Sequence, residues 1–157
     1  MIAWPWRARP HLVTVARSEA ETLAEIHAAA FGHAWSGEEF AALLSDRGVF
    51  AVGLRRGSRL AGFVLVRVAA DEAEILTIAV RPAWRGRGFG RMLMDEALRR
   101  LHRAGVSRCF LEVDRGNSPA VALYRSLGYE VAGERRNYYQ GGAAADGTAL
   151  VMRVQLR

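Results

Sequence analysis

The chain contains no lysine, and all 22 of its basic side chains are arginine. Against 16 acidic residues they leave a net charge of +6. A basic balance favours anionic partners such as nucleic acid, ribosomes or a polyphosphate cofactor, and biased codon usage accounts for the same composition. The arginines are scattered, with small clusters only at Arg55-Arg56, Arg99-Arg100 and Arg135-Arg136. No long basic tract or nucleic-acid motif accompanies them, so direct nucleic-acid binding is not required by the sequence. A single cysteine, Cys109, excludes an internal disulfide framework. No motif supplies it with a base, and a buried strand thiol is the expectation. His11, His27, His33 and His102 do not fall at metal-ligand spacings with Cys, Asp or Glu, so no metal is expected. Runs of about 18 apolar residues are missing too, which argues against a membrane span. The first residues, Met1–Arg7, lack the apolar stretch of a signal peptide, making a cytoplasmic location the default.

What remains is the composition of a globular protein, 51% hydrophobic and 24% charged, in a length that suits one domain over 1–157. His11–Ala16 suggests a first strand. Ser18 with Glu21 resembles a capping box opening a helix to about Ala30, and Ser36 with Glu39 opens a second to about Ser45. Gly48–Arg55 and Leu60–Ala69 read as a hairpin about Arg56-Gly57-Ser58, and Glu74–Val80 as a further strand stopped by Pro82. A Gly-rich stretch leads into a long helix from about Gly88 to Ala104, with Phe89, Leu93, Ala97 and Leu101 spaced by four. Ser107–Val113 is a strand. Ser118-Pro119 reads as an N-cap with proline at the first helical position, and that helix runs to about Leu127. Tyr129–Tyr139 and Ala149–Gln155 complete the strands, with a Gly- and Ala-rich loop, Gln140–Gly147, between them. The order describes an α/β (α+β) protein: a mixed, mostly antiparallel central sheet with helices on both faces.

Two groups of residues carry chemistry. In Arg85-Gly86-Arg87-Gly88-Phe89-Gly90 the chain passes from a strand through glycines into a helix. The first amides of a helix have no intrahelical acceptor and the macrodipole favours negative charge there, so a phosphate fits; Arg85, Arg87 and Arg91 add charge. Alone, such a stretch is a phosphate cradle or a plain turn. The second group is a carboxylate, Glu112, amid apolar strand residues, and a tyrosine, Tyr124, on the apolar face of the next helix. Burial of Glu112 would suit a general base; a Glu paired to an arginine at a strand end is the plainer reading. Tyr124 is either a proton donor or a core tyrosine.

The Gly-rich stretch resembles the acetyl-CoA motif of the GNAT superfamily of N-acetyltransferases, with Arg85, Gly88 and Gly90 at its defined positions, and the order of elements is similar over nearly the whole chain. The resemblance implies the GNAT fold, with the backbone around Arg85–Arg91 gripping the pyrophosphate of coenzyme A. It implies that Ile78-Ala79-Val80 pairs with the pantetheine arm and that the amide of Ile78 or a neighbour polarises the thioester carbonyl. Leu111-Glu112-Val113, Asn117-Ser118-Pro119-Ala120 and Leu123-Tyr124 through Tyr129 closely resemble the bacterial ribosomal-protein alanine N-acetyltransferases (RimI type). That subgroup implies Glu112 as base, Tyr124 as acid and Asn117 as a coenzyme A contact. Arg135-Arg136-Asn137-Tyr138-Tyr139 and Trp35-Ser36 match it as well, and imply a peptide cleft lined by Asn137, Tyr138, Tyr139 and Trp35, although Trp35 also suits a core anchor. The implied reaction is acetyl transfer from acetyl-CoA to a protein N-terminus, with the N-terminal alanine of ribosomal protein S18 favoured as partner. The chain departs from the pattern at Arg85, where relatives commonly carry Gln, at Gln140 in place of proline, and at Thr148 in place of an acid. Small-molecule amines, lysine side chains, a non-catalytic coenzyme A-binding module and a basic ribosome- or RNA-associated protein are the rival readings.

Overall fold

The computed structural model describes residues 8–136 and 147–157. Seven strands, β1 (His11–Thr14), β2 (Val49–Arg56), β3 (Arg59–Ala69), β4 (Glu72–Val80), β5 (Arg108–Asp114), β6 (Glu130–Arg135) and β7 (Ala149–Gln155), form one sheet in the order β1-β2-β3-β4-β5-β7-β6. The helices are α1 (Ala20–Ala30), α2 (Gly37–Leu44), α3 (Phe89–Arg103) and α4 (Ser118–Ser126). The sheet is mixed: β4 and β5 run parallel, whereas β1–β2, β2–β3, β5–β7 and β6–β7 are antiparallel. A parallel pair needs a crossover, and α3 lies in the connection between β4 and β5. Among the described residues, no helix is long and apolar enough to cross a membrane.

The chain divides into two compact units. One takes in the described residues up to Arg67 together with Leu76–Ala97. Its core joins Leu23 and Ile26 of α1 and Phe40 of α2 to Ala51 of β2 and Phe63 and Leu65 of β3. The Ser36 hydroxyl caps α2 by accepting from the Glu39 amide at 3.1 Å, as the Ser36/Glu39 spacing predicts. The expected capping box at Ser18 does not form. A 3-10 turn, Arg17–Glu19, precedes α1, and no side chain caps it. The β2–β3 hairpin closes on Gly57-Ser58, with Arg56 opposite Arg59 and Gly57 at φ +64°.

The other unit comprises Val68–Ile75 and the described residues from Leu98 onward. In β5, burial alternates strictly: Cys109, Leu111 and Val113 point into the core, whereas Arg108, Phe110, Glu112 and Asp114 occupy the other face. The N-cap of α4 is Asn117, one residue before the expected Ser118. Its carboxamide oxygen accepts from the Ala120 amide at 3.3 Å, so Pro119 sits at the second helical position, where its missing N–H is equally harmless. The strand expected over Tyr129–Tyr139 is β6, which begins one residue later and runs to Arg135 before a turn at Arg136. Most of the loop Gln140–Gly147 lies outside the described residues.

Candidate active site

The donor-side residues follow the end of β4. Gly62 of β3 permits the close approach there: a Cβ on it would stand 2.7 Å from the Ala79 carbonyl oxygen. The Arg81 amide donates to Ala61 O at 2.8 Å and the Arg81 Nε to Leu60 O at 2.7 Å, so the strand end is pinned to β3. Ile78 and Val80 are half-buried and Ala79 is buried. Pro82–Trp84 form a 3-10 turn, with the Arg59 guanidinium 5.8 Å from the Trp84 ring centroid. The Arg85 Nε folds back to donate to Val80 O at 3.2 Å, so this side chain helps close the loop.

Gly86 and Gly88 adopt φ +75° and +79°, a left-handed conformation costly for any residue with a Cβ. A Cβ on either would meet nothing within 4 Å. Neither glycine serves close packing; both serve the backbone path, and the surface they leave is open. Phe89 is buried and starts α3, whose bond from the Met92 amide to Gly88 O makes Gly88 the residue before the first turn. Arg87 and Arg91 are exposed; Arg91 lies 4.0 Å from Asp95 on the same helix. Open glycines and exposed arginines at a helix start are the kind of surface that accepts a phosphate.

In the other unit, Glu112 is not the enclosed, unpaired carboxylate that a buried base would be. Its side chain is 23% exposed, and its Oε1 accepts from Arg135 Nη1 at 2.7 Å. The plainer reading, a glutamate paired with a strand-end arginine, describes it. Tyr124, from α4, is buried, with its ring centroid 5.9 Å from that of Tyr129. Asn117 opens the same helix and is exposed. The Cys109 thiol is fully buried, and burial pushes its pKa up to about 11; it is the core thiol expected from its strand position and not a nucleophile.

Trp35, between α1 and α2, is half-buried against the apolar core of its unit. Its ring stacks on His27 with centroids 4.9 Å apart and 19° between planes, and its amide donates to His27 Nδ1 at 3.1 Å. Phe31 and Phe40 contact the same imidazole, at 4.5 and 5.5 Å. The sequence marks His27 only as one of four histidines without a metal-ligand spacing; its spacing of four from Phe31 and eight from Trp35 is the local signal for this cluster. Burial lowers the His27 pKa, opposed by the Glu39 carboxylate. Asn137, Tyr138 and Tyr139, expected to line a peptide cleft, lie outside the described residues.

The acetyltransferase (GNAT) family model matches residues 20–129. The chain is 38% identical over 105 residues to the [ribosomal protein bS18]-alanine N-acetyltransferase of Escherichia coli, covering 67% of this chain and 70% of that protein. It is 39% identical over 134 residues to the N-alpha-acetyltransferase RimI of Mycobacterium tuberculosis, covering 82% and 83%. The crystal structure of the Escherichia coli ribosomal-protein-S18-alanine N-acetyltransferase superposes with a TM-score of 0.87 over 94% of each chain, at 30% identity. The chain therefore belongs to the GNAT family of acetyltransferases and is an N-acetyltransferase of the RimI type.

Proposed function

We propose that the protein, acting as one domain in the cytoplasm, acetylates the α-amine of a protein N-terminus, with the N-terminal alanine of ribosomal protein S18 as the favoured acceptor. The observation that supports it most is the coexistence of an open, glycine-built anion cradle at the start of α3 with Glu112 and Tyr124 on consecutive elements. The S18 preference rests on the relatives named for that activity.

In this reading the segment Thr77–Gly90, with Arg91, holds acetyl-CoA. Asn117 contributes through its amide nitrogen, since its oxygen caps α4. Glu112 takes the proton of the incoming ammonium, freeing the nitrogen lone pair to attack the thioester carbonyl. The amide of Ile78 or a neighbour steadies the oxyanion. As the C–S bond breaks, Tyr124 gives its phenolic proton to the departing sulfur, and the second proton that the nitrogen sheds on becoming an amide restores the phenol. Holding both substrates together supplies much of the rate without a covalent intermediate. The likeness to the RimI type supports an acceptor-side role for Trp35 and for Asn137, Tyr138 and Tyr139.

Turnover of acetyl-CoA on short peptides differing only in their first residue tests this. Peptides beginning with alanine are expected to be acetylated at the α-amine and a peptide with a blocked N-terminus to be inert. Equal turnover on lysine side chains or small amines overturns the acceptor assignment.

A further inference from the structure

We infer that Arg135 is a positioning residue for the reaction: it holds Glu112 Oε1 and leaves Oε2 to receive the acceptor's proton. The inference rests on Glu112 acting as the base.

The register of three strands carries it. Glu112 of β5 lies opposite Val151 of β7, and Val151 lies opposite Gly133 of β6. Paired residues in antiparallel strands share a face, and residues two apart on one strand share it too. Gly133 and Arg135 therefore belong to the face of Glu112. Arg135 itself is opposite Ala149, and Ala149 is opposite Asp114. The guanidinium nevertheless reaches back to Glu112, at 2.7 Å. Gly133 stands beside the way: a Cβ on it would meet nothing within 4 Å, so nothing crowds that side.

A register shift between Val131 and Gly133 decides which charge faces Glu112. Val131 pairs with Met152 and Gly133 with Val151, leaving Ala132 as the extra residue of a β-bulge. In an unbroken register Ala132 would oppose Val151 and Glu134 would oppose Ala149. A second carboxylate would then share the face of Glu112, and Arg135 would point to the other side. With the bulge, Glu134 lies 3.9 Å from Arg115 instead. Among the described residues, the other charges on the shared face are Arg108, which lies 3.3 Å from Glu72, together with Glu74, Asp114, Arg153 and Glu130.

Both partners keep contact with water, at 53% exposure for Arg135 and 23% for Glu112. An exposed pair of this kind adds little to stability. Its geometric effect is larger, because fixing one carboxylate oxygen fixes the direction of the other.

The test is steady-state kinetics on an alanine-first peptide with Arg135→Gln, Arg135→Lys, Glu112→Gln and the Arg135→Gln/Glu112→Gln double variant. Arg135→Gln is expected to lower kcat on the order of 10- to 100-fold, the scale of a small misplacement of a reacting group, with the KM for acetyl-CoA unchanged. Arg135→Lys should recover most of the loss. In the Glu112→Gln background, Arg135→Gln should cost nothing further. Wild-type kcat in Arg135→Gln, or losses that simply multiply in the double variant, overturn the positioning role while leaving Glu112 as base. Wild-type turnover in Glu112→Gln removes the base assignment and this inference with it, a failure recognisable as different.

Discussion

From Arg81 to Arg91 the distinctive feature is a backbone path, set by the left-handed Gly86 and Gly88 before α3 and flanked by arginines. At Glu112, Arg135 and Tyr124 it is the side chains, each held by its strand, by a bulge or by a helix face. The first arrangement depends on a backbone conformation more than on side-chain identity. In the proposed reaction the second depends on identity, since one atom on one residue must take or give a proton. Substitutions should therefore act differently in the two regions, on donor binding in the first and on turnover in the second.

The largest effect is expected on the side-chain side. Glu112→Gln and Tyr124→Phe should each lower kcat by roughly 10²- to 10⁴-fold, the usual contribution of a general base or acid. Acetyl-CoA binding by titration calorimetry should be unaltered in both. If either variant loses acetyl-CoA affinity in proportion to its rate, the contrast between the regions fails.

On the backbone side, Gly88→Ala forces a Cβ into φ +79°, a strain of about 1–2 kcal/mol. Space is not the obstacle, because the position is open. The expected result is a KM for acetyl-CoA raised about tenfold, the equivalent of that strain when it falls on the bound loop conformation. Arg87→Ala should raise KM only several-fold, as befits one exposed charge among several. A larger penalty at Arg87 than at Gly88 would show that charge, not backbone path, dominates the cradle.

These two regions were not equally legible in the sequence. Glycines at Gly86 and Gly88 before an amphipathic helix announce their role locally, and Phe89, Leu93, Ala97 and Leu101 are buried as their spacing of four implies. The hairpin about Gly57, the cap at Ser36 and the alternation that sets Glu112 with Phe110 were legible for the same reason: each signal lies within a few residues. The Glu112–Arg135 pair is different. It depends on β7, the last strand in the chain, inserting between β5 and β6, and on one extra residue at Ala132. Neither is marked by local composition, so the arginine partner stayed anonymous. Ser18 misled for the opposite reason: the capping-box pattern is present, but the chain enters α1 through a 3-10 turn and the box is never used.

A smaller effect concerns the cluster around Trp35. The His27 pKa lies below its ordinary 6.5 because burial disfavours the imidazolium, and the Nδ1 that accepts the Trp35 amide must be unprotonated. The unfolded chain binds the proton near 6.5, so below that pH it holds more protons at this site than the folded chain. This contribution to stability is complete above 6.5 and is lost as pH falls from 6.5 toward the lower folded value. The urea midpoint should therefore fall between about pH 7.5 and about pH 5, and His27→Gln, which offers an acceptor without titrating, should flatten part of that slope. An unchanged slope in His27→Gln would remove the imidazole from the account.

The smallest effect tests whether the side-chain region is as rigid as the positioning of Glu112 requires. Cys109 is on β5 three residues before Glu112, on the opposite face, fully buried with its thiol held near 11. A thiol-specific reagent at about pH 8 attacks thiolate only, so the folded protein should react negligibly, and fully in urea. If β5, β6 and β7 open only with the whole unit, any residual native labelling should vanish from the kinetics in step with stability as urea is withdrawn. Labelling that persists at a rate insensitive to urea would mean that the strands part locally. Glu112 and Arg135 would then be held by a fluctuating edge, and the fixed direction of Oε2 would have to come from the bound acceptor instead.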